Sequence, residues 1–250
     1  MKIAIPDSPL LSPLTRNVDA VCTERGWSVI RTSEAACADM LIRNTVDVAL
    51  VSPLGYGKAV GVVDERIIPG PCLMLHDYCR VAGLWFAEGL ADITTADSST
   101  PDAFLSVIGS IILAEKFDVS AELKKRSSAS ADCRIDLVSE TDPEPALDVS
   151  EEWTDITEQP LPVAIWACRI DADIDAVTEA VMAMADPDIL ETTVVESVPS
   201  VGDHFPREGK RTWRWSDDVV PALEQTVELL FYHQHFRELP AIKLLGSDPM

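Results

Sequence analysis

The N-terminal part of the chain alternates between β-type and helical patterns, and this alternation restricts the fold more than any other feature. Two apolar runs each end just before a proline or a Ser-Pro pair, as buried strands do. Gly26 is suited to ending the first helical segment. The strand candidates are residues 2–5, 27–30 and 46–51, and the helix candidates are residues 15–24 and 33–43. Such alternation requires right-handed crossovers and predicts an α/β fold with a mostly parallel sheet.

A second block of strand and helix patterns begins near Cys79. Thr100-Pro101-Asp102 combines a hydroxyl, a proline and an acid in the way that opens a helix, here predicted to continue to Lys116. Residues 141–160, rich in proline and acid, predict a loop with one short helical turn near Trp153. The other predictions are strands at 81–86, 93–96, 134–138 and 162–168, helices at 171–185 and 219–236, and a last short apolar run at 242–245.

Charge and composition exclude several classes of protein. The chain has 250 residues, is 47% hydrophobic and carries a formal net charge of −22. The apolar fraction is sufficient for a large core and excludes global disorder. A surface of this sign repels phosphate backbones and anionic lipid, so we expect no nucleic-acid or membrane partner. A small anionic ligand remains compatible, because local donors bind it.

The location expected from the sequence is the cytoplasm. The N-terminal apolar run stops at Pro6, short of a signal peptide, and no window is long and apolar enough to span a membrane. The six cysteines contain no C-x-x-C pair, which favours buried free thiols in a reducing compartment over a zinc site or disulfides.

Motifs for cofactor, metal or nucleophile chemistry are absent. There is no G-x-S-x-G elbow, no phosphate loop and no dinucleotide fingerprint. His233 and His235 lie two positions apart on a predicted helix, which places them on different faces. His76, beside Asp77, fits a structural hydrogen bond better than a catalytic role. We therefore expect neither a metal nor a cofactor, and no catalytic residue is identified from motifs.

Polar residues follow several predicted strands, where ligands of parallel sheets bind. Asp97-Ser98-Ser99-Thr100 joins a strand to a helix, and its hydroxyl and N–H groups are suited to a carboxylate. Plain N-capping explains one hydroxyl of the run and stays as the alternative. Val51-Ser52-Pro53-Leu54 and Pro6-Asp7-Ser8 are two further strand ends of this type. The three polar segments would lie at one edge of a sheet only if the predicted strand topology is right.

Five segments, in this order, resemble the chorismate dehydratase family of menaquinone biosynthesis (the futalosine pathway). They are DVALVSPLGYG at 47–57, IIPGPCLMLHDY at 67–78, ADSSTPDAFLSVIGSIILAEKFD at 96–118, DPEPALD at 142–148 and LPVAIWACR at 161–169. The resemblance covers most of residues 1–186. It implies a two-lobed type-II periplasmic-binding-protein-like fold with an interlobe cleft, residues 1–78 plus 187–250 forming one lobe and 79–186 the other.

The resemblance also implies site residues and an activity. Ser8 and Ser52 would face the ligand from the first lobe, and Ser98, Ser99 and Thr100 would hold its carboxylate from the second. The reaction would be a dehydration, a carbon–oxygen lyase activity, of chorismate to 3-enolpyruvylbenzoate, in which the substrate's own carboxylate removes the proton.

The sequence departs from the family at Leu10, which occupies the position of an asparagine that faces the substrate. Leucine can neither donate nor accept a hydrogen bond. Asn17 or Ser12 could compensate, the alignment could be displaced by a few residues, or the dehydration could be lost. The alternative to a lyase is therefore a non-catalytic cytosolic protein of the same fold that binds a small carboxylate.

Overall fold

The computed structural model describes residues 1–59, 61–89, 92–127, 131–195 and 206–247. In chain order the described elements are β1 (Lys2–Pro6), a short 3-10 helix (Pro9–Leu11), α1 (Ser12–Thr15), α2 (Val18–Arg25), β2 (Ser28–Thr32), α3 (Glu34–Ile42), β3 (Val48–Val51), α4 (Pro53–Gly57), β4 (Glu65–Asp77), β5 (Ala82–Phe86), β6 (Ala96–Ser98), α5 (Phe104–Phe117), β7 (Leu123–Lys125), β8 (Cys133–Leu137), β9 (Leu147–Asp148), α6 (Val149–Thr157), β10 (Leu161–Arg169), α7 (Ile174–Met184), β11 (Glu191–Val195), β12 (Glu208–Thr212) and α8 (Val219–Tyr232).

The chain divides into two compact units. The first comprises Met1–Met74, Pro162–Glu191 and Thr212–Met250, and the second comprises Leu75–Leu161 and Thr192–Arg211. This division assigns Pro162–Glu191 to the first unit, whereas the sequence grouped 79–186 together. The register gives the reason, since β10 pairs antiparallel with β3. Nothing in the hydrophobic pattern of a strand shows which sheet it joins.

The larger sheet has seven strands in the order β11-β12-β4-β10-β3-β1-β2. Its N-terminal part is the predicted alternation, with β1 paired in parallel with both β2 and β3. Gly26 ends α2 in the left-handed region at φ 65°, and Ser33 caps α3 through the N–H of Ala36. Buried residues of α3, β3 and α8 form the core of this unit, among them Leu41, Ala49 and Leu223. The predicted α/β class is therefore confirmed here.

The second unit contains a sheet of five strands in the order β7-β6-β8-β5-β9. β6 pairs in parallel with β7 and β8, whereas β5 pairs antiparallel with β8 and β9. The helices α5 and α6 pack on each other and on this sheet, and they bury Phe104 and Trp153 completely. Each sheet is thus mixed, with antiparallel pairs beside parallel ones.

Three sequence predictions about individual elements need correction. α5 begins at Phe104 rather than at Thr100, because Ser98 and Ser99 are tied to the neighbouring strand and a turn must follow them. The strand predicted at 93–96 lies at Ala96–Ser98, since Thr94 and Thr95 instead donate to the Asp132 carboxylate.

The third correction concerns α6, and the strand β4 was not predicted. The short turn predicted near Trp153 is the nine-residue helix α6, whose first N–H groups donate to the side chain of Asp148. β4 is a strand of 13 residues that contains Pro69-Gly70-Pro71, a sequence typical of a turn. A glycine lets β12 approach the end of β4, because a Cβ on Gly209 would lie 2.4 Å from the carbonyl oxygen of His76.

Within the described residues, no helix combines the length and the apolar character that crossing a bilayer requires.

Candidate functional site

Ser52 lies at the end of β3 in the first unit, on the same edge of the sheet as the end of β1. Its side chain is buried, accepts the N–H of Gly55 at 3.3 Å and donates to Oε1 of Glu34 at 2.6 Å. The hydroxyl therefore caps α4 and has already used its one proton. A ligand acceptor at this edge would have to displace the Glu34 carboxylate from that proton.

Ser8 and Leu10 follow the end of β1. Ser8 precedes the short 3-10 helix without capping it, and its half-buried hydroxyl has no hydrogen bond to any part of the chain that the structure describes. Leu10, the predicted departure from the family, is half-buried in the middle of that helix. This strand end is therefore followed by an apolar side chain and by a hydroxyl that has no partner among the described residues.

The two residues expected to compensate for Leu10 have other positions. The side-chain amide of Asn17 donates to the carbonyl oxygen of Ala185 at 3.0 Å, and its main-chain N–H donates to Met184. Asn17 therefore ties the end of α7 to the start of α2. Ser12 is exposed at the start of α1. The Asn17 amide is thus already bonded within the chain, and Ser12 has a hydroxyl instead of an amide.

Ser98, Ser99 and Thr100 lie together at the carboxyl end of β6 in the second unit, as the sequence predicted. Three of their donors converge on Oδ1 of Asp136: the Ser98 hydroxyl at 3.2 Å, the Ser99 N–H at 2.8 Å and the Ser99 hydroxyl at 2.8 Å. The Thr100 N–H donates to the Ser98 hydroxyl at 3.0 Å. The run therefore binds a carboxylate in this structure, and that carboxylate belongs to the chain.

Arg126 supplies the positive charge of this cluster. Its guanidinium pairs with Oδ2 of Asp136 and, at 3.3 Å, with Oδ1 of Asp97. Both aspartates are buried, whereas the Arg126 side chain is 36% exposed. Buried carboxylates need such partners because desolvation otherwise disfavours their charge. We call Asp97, Ser98, Ser99, Thr100, Arg126 and Asp136 the β6 cluster.

Asp136 and Arg126 were missed by the sequence analysis. Parallel pairing of β6 with β8, which aligns Asp97 with Arg134, brings Ser99 beside Asp136. Parallel pairing with β7, which aligns Ser98 with Lys125, brings Arg126 to the same edge. The signal available in the sequence was a charged residue near the end of each strand, but only the register shows which of them meet.

The described residues contain no group of three His, Cys, Asp or Glu side chains placed to hold a metal ion. Burial is the main cause that lowers the pKa of His235, with smaller contributions from His233 and Lys58. All six cysteines are buried and free. Burial raises the pKa of Cys37 to about 12, so its thiol is not an activated nucleophile.

No protein-family model matches the sequence, and no curated protein is similar enough in sequence to match it. Solved structures do match the fold. Protein AF1704 from Archaeoglobus fulgidus aligns with a TM-score of 0.57 at 13% identity, over 93% of this chain and 97% of that one. An ABC transporter protein from Parabacteroides distasonis aligns with a TM-score of 0.54 at 7% identity, over 100% and 99% of the two chains.

These likenesses establish the fold. The chain has the two-lobed, type-II periplasmic-binding-protein-like α/β fold that the resemblance to the chorismate dehydratase family implied. A shared fold specifies neither a ligand nor a reaction.

Proposed function

We propose that this protein binds a small carboxylate at the β6 cluster without reacting it. The observation that carries the proposal is the convergence of the Ser98 hydroxyl and both Ser99 donors on one carboxylate oxygen. Hydrogen bonds from N–H and hydroxyl groups to a charged acceptor are stronger than neutral ones. A donor set that holds Asp136 has the chemistry to hold a ligand carboxylate.

Binding would proceed by exchange. Ser99 and Thr100 are exposed, so a ligand approaches the donors from their solvent side and takes the place of the Asp136 oxygen. Arg126 remains paired with Asp136 after the exchange, and it keeps that buried charge neutralised. The Thr100 hydroxyl, which has no hydrogen bond to any described residue, adds a further donor.

The test is calorimetric titration of chorismate, the carboxylate that the resemblance names, into the Ser99→Ala, Thr100→Ala double variant. We expect the loss of about 1–3 kcal/mol of binding free energy. Ser110→Ala is the matched control, because Ser110 lies on α5 and donates to the carbonyl oxygen of Val107. Unchanged affinity in the double variant would remove the β6 cluster as the site.

A second candidate function is the dehydration of chorismate to 3-enolpyruvylbenzoate, with release of one water. The five ordered segments that resemble the chorismate dehydratase family favour it. Positioning alone contributes several kcal/mol to such a reaction when the substrate's own carboxylate removes the proton. Leu10 is the reason for ranking binding first, since it offers no hydrogen bond and the Asn17 amide is committed to Ala185.

Chromatography after incubation with chorismate separates the two candidates. Formation of 3-enolpyruvylbenzoate by the folded protein supports the lyase, and binding without product supports the binding protein. The Leu10→Asn variant sharpens the result: turnover gained on this substitution assigns the position to the reaction. We further place the protein in the cytoplasm, where its six buried free thiols are stable.

A further inference from the structure

The first unit contains a cavity of about 250 Å³ that none of the residues discussed so far as ligand donors lines. Four segments distant in sequence form its walls: the start of α1, the middle of β4, the end of α7 and the residues after β12. Its apolar wall includes Pro13, Leu14, Pro69, Met182, Trp213 and Trp215. We call it the tryptophan cavity.

The size and the wall of the tryptophan cavity select an aromatic group. An apolar cavity of about 150 Å³ holds benzene, whereas pockets for drug-sized ligands begin at about 300 Å³. A volume between these limits fits one six-membered ring with a short substituent. The indoles of Trp213 and Trp215 provide flat apolar faces against which such a ring packs.

Two charged side chains also line the cavity, and they differ in what they already bind. Asp186 accepts the N–H of Asp188 at 3.1 Å and the guanidinium of Arg16 at 2.5 Å. These bonds hold the pKa of Asp186 below its ordinary value, and its charge is compensated by Arg16.

Arg214 makes one hydrogen bond with the described residues, which its Nη2 donates to the carbonyl oxygen of Pro187 at 2.9 Å. Its other guanidinium donors form no hydrogen bond with any described residue, and the side chain is exposed. Since Asp186 is compensated, the cavity carries one uncompensated positive charge. A guanidinium with free donors binds a carboxylate.

We propose that the tryptophan cavity is a second small-molecule site, which takes an aromatic monocarboxylate of one ring. The ring packs on Trp213 and Trp215, and the carboxylate binds Arg214. This site is separate from the β6 cluster, and it needs neither the ligand exchange nor the reaction considered above.

Phenylacetate is the probe, phenylacetamide is its neutral counterpart, and calorimetry measures both. We expect phenylacetate to bind at least fivefold more tightly than phenylacetamide. Arg214→Gln should weaken phenylacetate about fivefold to tenfold and leave phenylacetamide unchanged. Arg43→Gln is the matched control, because this substitution removes the same charge. Arg43 is exposed at the end of α3 and does not line the cavity. Equal effects of the two arginine variants would overturn the role of Arg214.

A second pair of variants tests the cavity itself. Met182 is 52% exposed, so Met182→Trp can fill the cavity without entering the core, and it should abolish binding of both probes. Met182→Leu keeps the volume and should preserve binding. Circular dichroism confirms that each variant is folded. Binding of phenylacetate to Met182→Trp with wild-type affinity overturns the site.

The Ser99→Ala, Thr100→Ala double variant separates this inference from the proposed function. Phenylacetate should bind it as it binds the wild type. If the double variant lost phenylacetate binding while Arg214→Gln kept the wild-type affinity, the aromatic acid would bind at the β6 cluster. That result would refute the second site. Absence of binding to the folded wild type at millimolar phenylacetate would refute it as well.

Discussion

Asp148 in the second unit and Glu65 in the first are both buried carboxylates with very different surroundings. Asp148 accepts the N–H groups of Arg80, Ser150 and Glu151 and the Ser150 hydroxyl. Oε1 of Glu65 has no hydrogen-bond partner among the described residues. Burial raises the pKa of both groups, and for Glu65 it reaches about 8.

The comparison shows what donors do for a buried acid. Around Asp148, hydrogen bonds lower the pKa against the effect of burial, and the same bonds join the start of α6 to the turn after β4. Around Glu65 only desolvation acts, so the neutral form persists at neutral pH. Asp136 in the β6 cluster likewise accepts hydrogen bonds from serine hydroxyls and a main-chain N–H. These two carboxylates of the second unit, Asp136 and Asp148, thus both accept serine and main-chain donors.

Removing Asp148 should have the largest effect on stability. Asp148→Ala leaves several buried N–H groups without an acceptor, and we expect the free energy of unfolding to fall by about 3–5 kcal/mol. Urea denaturation followed by circular dichroism measures it. Asp148→Asn, which keeps one acceptor oxygen, should cost less. A loss below 1 kcal/mol for alanine would show that these donors find other partners.

Glu65→Gln should change the pH dependence of stability. The folded protein keeps a proton that the unfolded chain releases above pH 4.5, so the free energy of unfolding falls as pH rises from 4.5 to about 8. The expected contribution between pH 5 and pH 8 is about 3–4 kcal/mol. The variant should lack this decrease and should be the more stable protein at pH 8.

Urea unfolding at both pH values provides that measurement. Glu24→Gln is the control for Glu65→Gln, because Glu24 is an exposed acid of the same unit. Parallel pH curves for the wild type and Glu65→Gln would contradict a neutral buried Glu65.

Ser52→Ala extends the comparison to a hydroxyl that donates to a carboxylate of the first unit, that of Glu34, and its effect should be the smallest. The variant loses the cap of α4 and the bond to Glu34, for which we expect about 1 kcal/mol of destabilisation. Ser33→Ala loses only a cap, that of α3. If both variants unfold at the same urea concentration, the bond between Ser52 and Glu34 contributes nothing measurable.

The fold was predictable where local pattern and local structure agree. β1, α2, β2, α3 and β3 all form at or near the predicted residues, because each has a clear hydrophobic period and a capping or ending residue such as Ser33 or Gly26. β4 was not predictable by this means. Its Pro69-Gly70-Pro71 sequence indicates a break, yet the strand continues through it as part of the larger sheet.

The candidate site was predictable in position and only partly in content. A run of hydroxyls between β6 and α5 indicated where a carboxylate could bind. That Asp136 already accepts those hydroxyls follows from the pairing of β6 with β8, a contact between residues 37 positions apart. Hydrophobic periodicity contains no information on which strands are neighbours, so this partner required the structure.

The first unit is assembled from three separate stretches of the chain, and the last of them begins at Thr212. Val219, Ala222 and Leu223 from α8 fill the same core as Ala4 and Ala49. During synthesis, a ribosome therefore releases the N-terminal strands long before the helix that covers them exists. The stretch Leu75–Leu161, the larger part of the second unit, is synthesised in the meantime. The apolar core residues of the first unit stay uncovered until α8 has been made, and exposed apolar surface of this kind favours aggregation.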